Sequence, residues 1–152
     1  MKRCLTPLVL VCLLFLAAPA RAASNPTDAF AFGIELCPES LCGSAIFTGI
    51  LSGTVAGIDT RLGSFSVAVK HDPLQEDKGD VTAITGGVFQ LRAGLRTVRG
   101  TIVDGLLISN GDNTFDVTME LVSSNGQLFL FQGTLSHNSF PPTIFGHIVS
   151  LN

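Results

Sequence analysis

The sequence predicts an all-β fold: a single antiparallel domain of seven or eight strands, a small barrel (or sandwich) with mostly meander connections. Three observations carry this. Beyond the N-terminal leader the apolar residues recur with period two, and no long 3.6-residue helical pattern occurs. Runs rich in β-branched and aromatic residues alternate with short clusters of Gly, Asn and Asp, which is the signature of strands and hairpins at regular spacing. Glycines also stand inside the runs, at Gly49, Gly53, Gly86, Gly87, Gly100, Gly105, Gly133 and Gly146, where a curved sheet needs bulges and tight bends.

The first element is not part of the fold. Lys2 and Arg3 precede an apolar run and the small-x-small triplet Ala20-Arg21-Ala22, the pattern of a secretory signal peptide over residues 1–22. The run is shorter than the roughly 20 residues of an ordinary membrane span. Cys12 lies within the run with no cleavage signal after it, which disfavours a lipid-anchored cysteine. The domain then occupies residues 23–152, and the expected location is periplasmic or extracellular. Removal of Lys2, Arg3 and Arg21 takes the nine basic residues to six against twelve carboxylates, a net charge of −6. Such a chain lacks the basic footprint of a nucleic-acid binder and is no polybasic membrane binder.

Phe30, Phe32 and Ile34 alternate with small residues and open the strand series. "CPESLCG" follows. Cys37 and Cys42 are the cysteines that remain after the leader, and an oxidising compartment predicts a disulfide between them. Residues five apart on an ideal helix lie about 8–9 Å apart, too far to bridge, so an irregular turn is expected, helped by Pro38 and Gly43. The spacing is neither Cys-x-x-Cys nor a zinc pattern.

The remaining runs are "AIFTGILSGTVAGI", "SFSVAVKH", "VTAITGGVFQLR", "VRGTIVDGLLIS", "TFDVTMELV", "QLFLFQGTL" and "TIFGHIVSL". Register can be argued for the last two hairpins. A two-residue loop at Asn125-Gly126 would put Asp116 and Glu120 on an apolar face, which is costly. A three-residue loop, 124–126, instead pairs Leu121 with Phe129, Met119 with Phe131, Val117 with Gly133 and Phe115 with Leu135. If His137 then faces Thr143, Leu135 meets Phe145 and Gly133 meets His147. This register points His147 inward over Gly133, and leaves His137 at a loop rim about 14 Å from it.

Candidate chemistry is sparse. His147 is the weak catalytic candidate, and an apolar ligand is expected among Met119, Phe131, Phe145 and His147. The loop "HDPLQEDKGD" could gather oxygens around a cation, but its spacing is no EF-hand and Lys78 stands within it; no metal site and no cofactor are expected. His71 and Asp72 are adjacent on a strand and so point to opposite faces. Asp116 and Glu120 stand near 14 Å apart, outside glycosidase spacing. Arg92, Arg96 and Arg99 around Ala93-Gly94 could form an anion patch, although arginines more often decorate strand ends. Hydrolase and zinc-protease motifs are missing. With no Trp and no Tyr, outer-membrane aromatic girdles and sugar platforms are disfavoured.

An eight-stranded exported barrel invites comparison with lipocalin-like carriers and with small barrel enzymes that orient apolar substrates. The Gly-x-Trp expected of the former is absent, and architecture does not fix function. The functional expectation is an exported non-enzymatic module, structural or binding an apolar small molecule. The alternatives are a small barrel enzyme using His147 as acid/base, and a surface assembly or interaction subunit. No nucleic-acid partner and no transmembrane segment after the leader are expected; oligomeric state is left open.

Overall fold

The structure, a computed structural model, describes residues 28–55, 58–61 and 63–151. The expected leader lies outside the described residues. The elements are β1 (Asp28–Cys37), α1 (Glu39–Cys42), β2 (Ala45–Val55), β3 (Ile58–Asp59), β4 (Gly63–His71), β5 (Val81–Ala93), β6 (Arg96–Ser109), β7 (Thr114–Ser123), β8 (Leu128–Ser136) and β9 (Thr143–Ser150). Each strand pairs antiparallel with its sequence neighbour, apart from the two-residue β3, which only extends the end of β2. β1 pairs with both β2 and β9, so eight strands close into an up-and-down barrel. Closure removes the free edges that an open sheet would expose.

The alternation in each strand decides what fills the barrel. β7 buries Phe115, Val117, Met119 and Leu121 and turns Asp116 and Glu120 outward. It pairs with β8 in the expected register, Met119 opposite Phe131 and Leu121 opposite Phe129. The turn between them is the three-residue loop, with Gly126 at φ +83°, a conformation that suits glycine. Ser123 is buried and accepts from Gln127 N–H at 2.9 Å, satisfying the turn.

β9 departs from expectation. Ser136, not His137, faces Thr143, so Leu135 meets Ile144, Gly133 meets Gly146, and Gln132 meets His147. His137 instead donates its backbone N–H to the Asn113 carbonyl at 2.8 Å. The one-residue slip turns Phe145 and His147 outward and seats Ile144, Gly146 and Ile148 inside. Both alternating sets of "TIFGHIVS" contain apolar side chains, so hydrophobicity alone does not choose. The observed phase buries no polar atom from β9 side chains, whereas the other would desolvate an imidazole. It also answers a lack of room: a Cβ on Gly146 would stand 2.6 Å from the Gly133 Cα.

β1 follows the same logic. Its small set, Ala29, Ala31 and Gly33, faces in, and Phe30 and Phe32 are 41% and 42% exposed. Large rings from elsewhere fill the space over this small-residue sector: a Cβ on Gly33 would meet Phe65 Cζ at 2.5 Å. Phe89 and Phe129 pack edge to face with centroids 6.2 Å apart. Phe129 is wholly buried, and burying such a side chain stabilises by about 1.5–3 kcal/mol.

The two ends of the barrel differ. One end carries the short Gly94-Leu95 turn and the 124–126 loop. The other gathers α1 and the connections 72–80, 110–113 and 137–142. Cys37 and Cys42 lie there with sulfurs 1.95 Å apart and Cα atoms 6.2 Å apart. The bridge is reachable because Cys37 is still in β1 and the helix lasts one turn before Gly43 ends it at φ +70°. The loop 72–80 is not simply solvated. Gln75 N–H donates to the buried Thr82 hydroxyl at 3.0 Å, and the buried Ser109 hydroxyl donates to the Glu76 carbonyl at 2.7 Å.

Candidate functional site: an apolar pocket at the loop-rich end

The inward-facing set of several strands runs out of core before it runs out of strand. In β1 the set Ala29, Ala31, Gly33 continues to Glu35, which pairs with inward-facing Phe47. In β4 the set Phe65, Val67, Val69 continues to His71, paired with inward-facing Ile84. In β8 the set Phe129, Phe131, Leu135 continues to His137, just past the strand end. Strand periodicity therefore delivers a carboxylate and two imidazoles to one rim. α1 adds Glu39.

Below this rim lies a cavity of about 540 Å³. Its walls include Ala45, Phe47, Val69, Leu107, Val117 and Leu135. Leu74 leans in from the 72–80 loop and packs against the core. Met119 and Ile144 lie between this cavity and the packed half of the barrel, where only about 20 Å³ of void remains beside Phe131.

The rim groups are not equivalent. The His71 Nδ1–H points at the Asp72 carbonyl, 2.7 Å away, and Nε2 lies 3.2 Å from Glu39 Oε2. Both ring nitrogens are engaged, so this histidine offers no free nitrogen to a guest; it ties α1 to the end of β4. Its backbone N–H also reaches Glu39 Oε2 at 3.4 Å. His137 rests its ring on Phe115, centroids 5.5 Å apart. Glu35 is the free carboxylate of the set: among the described residues its side chain makes no hydrogen bond and no ion pair. Partial burial raises its pKa above the ordinary carboxylate value, and the charges of His137 and His71 oppose that rise. On the neighbouring 110–113 loop, Asp112 accepts from the Thr114 hydroxyl at 2.6 Å, which lowers its pKa.

The residues singled out from sequence do not assemble into one site. Met119 and Phe131 face inward and pair across β7 and β8, Met119 at the cavity and Phe131 below it. Phe145 is 43% exposed on the outer face. His147 is also outside: its Nδ1 lies 2.9 Å from Asp28 Oδ1, and its ring meets Phe30 edge to face at 5.7 Å. The side of the sheet it occupies places His147 outside the barrel, not inward over Gly133 as the register argued from sequence has it. The groups missed as a constellation were Glu35, Glu39 and His71 together with His137. For His71 and His137 the signal was available, since continuing the inward alternation of β4 and β8 one step further reaches them; Glu35 follows in the same way once the small-residue face of β1 is known to be the inner one. Glu39 had no such signal, because a turn of helix sets its direction.

Among the described residues no cluster of His, Cys, Asp or Glu could hold a metal ion, and no helix is long and apolar enough to cross a membrane. Comparison with protein families, with curated proteins and with solved structures gives no match for this chain.

Proposed function

We propose that this chain is an exported barrel that holds an apolar small molecule in the pocket at its loop-rich end. The observation that supports the reading most is the pocket: about 540 Å³ with apolar walls and a polar rim, inside the roughly 300–1,000 Å³ range of small-molecule sites. Eight-stranded barrels are just wide enough either to fill with side chains or to hold one small ligand. This one fills half its interior with phenylalanines and leaves the other half hollow, forfeiting dispersion contacts there. A guest would restore them. The leader-like residues 1–22 and the Cys37–Cys42 pair support export. Binding without turnover is favoured because His71 has both nitrogens engaged and His147 lies outside the barrel.

The test uses N-phenyl-1-naphthylamine, a neutral dye that brightens in apolar surroundings. Saturable binding is expected. Ala45→Phe, which fills the pocket, should abolish it while the thermal transition is kept, and His147→Gln should bind as the parent does. Unaltered binding by Ala45→Phe would remove the pocket from the account.

A second reading, an assembly subunit, draws support from the outer face of β9, β1 and β2. There Phe32 pairs with Phe145 on one side and Ile50 on the other, all three exposed, and clustered apolar surface is characteristic of interaction sites. Sedimentation velocity over a concentration series reads this directly; a monomer at every concentration would count against self-assembly.

A further inference from the structure

We infer that the pocket selects an amphiphile with a cationic head, a protonated amine on an apolar body, whose ammonium pairs with Glu35. The inference rests on the pocket reading above and names the class of guest.

Two independent features of the molecule lead there. The first is local. Glu35 stands at the inward position where the apolar wall of β1 ends, partly buried and with no hydrogen bond or ion pair to its side chain among the described residues. A guest that fills the pocket takes still more water from this carboxylate. Burying a charge without a partner is costly. A neutral guest leaves that cost standing, and an anionic one adds repulsion. An ammonium removes it and forms a charge-assisted hydrogen bond. The neighbouring imidazoles offset this cost only in part, and from a distance. His71 is committed to Glu39 and to the Asp72 carbonyl. His137 lies against Phe115 and forms no ion pair with Glu35 within 4.0 Å.

The second feature is the charge layout of the whole barrel. Glu39, Asp72, Glu76, Asp77, Asp80 and Asp112 surround the same open end, with Lys70 and Lys78 as the cations among them. The arginines of the described chain, Arg61, Arg92, Arg96 and Arg99, all stand toward the opposite end, where they outnumber the carboxylates Asp28 and Asp59. The field therefore runs along the barrel axis with its negative pole at the mouth. A low-dielectric opening ringed by one sign of charge concentrates the opposite sign there. Attraction at distance and pairing on arrival favour the same guest.

The experiment displaces N-phenyl-1-naphthylamine from the purified protein with decylamine, 1-decanol or decanoate. The three share one chain and differ in head charge. At low salt and neutral pH the amine should displace the dye at about tenfold lower concentration than the alcohol, with the carboxylate weakest. Added salt should narrow the gap, since the mouth charges are screened. Glu35→Gln should bring the amine to the level of the alcohol, while the alcohol and the neutral dye bind at least as well as in the parent, which also shows that the variant is folded. Equal displacement by all three, a preference for decanoate, or an amine preference that survives Glu35→Gln would overturn the inference while the pocket stands. Absence of dye binding, or dye binding that persists in Ala45→Phe, would remove the pocket reading and this inference with it.

Discussion

The two halves of this barrel are built from the same strands and the same alternation, yet one is solid and the other hollow. Around Phe65, Phe89, Phe129 and Phe131 the rings lie over Gly33, Gly100 and Gly133, and a Cβ at any of these glycines would collide with a ring. Large set against small fills the cross-section. Toward the other end the inward set is mainly aliphatic (Val69, Ile84, Leu107, Val117, Leu135), with only Phe47 and Phe115 as rings, and Ala45 stands where another large residue could. The lesson is that the size of inward-facing side chains, layer by layer, decides whether an eight-stranded barrel is a core or a container. The polar groups follow the same division. Short turns close the solid end, while the long connections, the disulfide and the ionisable rim are placed at the hollow one.

Matched truncations would test this contrast. Phe129→Ala in the solid half should cost about 3–5 kcal/mol, since neighbours packed on every side cannot collapse into the gap. Phe47→Ala should cost clearly less, about 2 kcal/mol, because its ring already borders open space and deletion enlarges a cavity that exists. Urea unfolding of both variants reads the difference; equal losses would mean that the open end is packed in solution. A smaller effect is expected at the rim. Burial raises the pKa of Glu35, so its ionised form is the disfavoured one in the folded state. The resulting penalty is present at neutral pH and disappears as pH falls through the raised pKa. Glu35→Gln should therefore stabilise the ligand-free protein slightly near pH 7, by about 0.5 kcal/mol at most given its partial exposure. The advantage should shrink steadily toward acid pH. Thermal transitions of parent and variant across pH 4 to 7 give the comparison, and an advantage that grows toward acid would contradict the burial of this carboxylate.

Much of the fold was legible because a two-residue period leaves little choice within a strand. The runs read from sequence coincide closely with β2 and with β4 to β9, and the β7–β8 register followed from keeping Asp116 and Glu120 off an apolar face. β9 was not legible in the same way. In "TIFGHIVS" both faces are apolar enough, and the choice depends on Gly146 lying against Gly133 on the neighbouring strand, a contact that no local pattern contains. The same holds for β1, where the inward face is the one with the smaller residues because rings from distant strands already occupy the space.

The candidate site divides along the same line. Alternation by itself determined that His71 and His137 share a side with the core of their strands and that Glu35 shares a side with Ala29, Ala31 and Gly33, as it determined the antiparallel meander. Only the tertiary structure decided that these groups meet at one rim. Closure of β1 onto both β2 and β9 brings residues from opposite ends of the chain into one ring. A period encodes direction within one strand; which strands face each other across a barrel, and whether the space between them is filled, depends on all of their side-chain volumes at once.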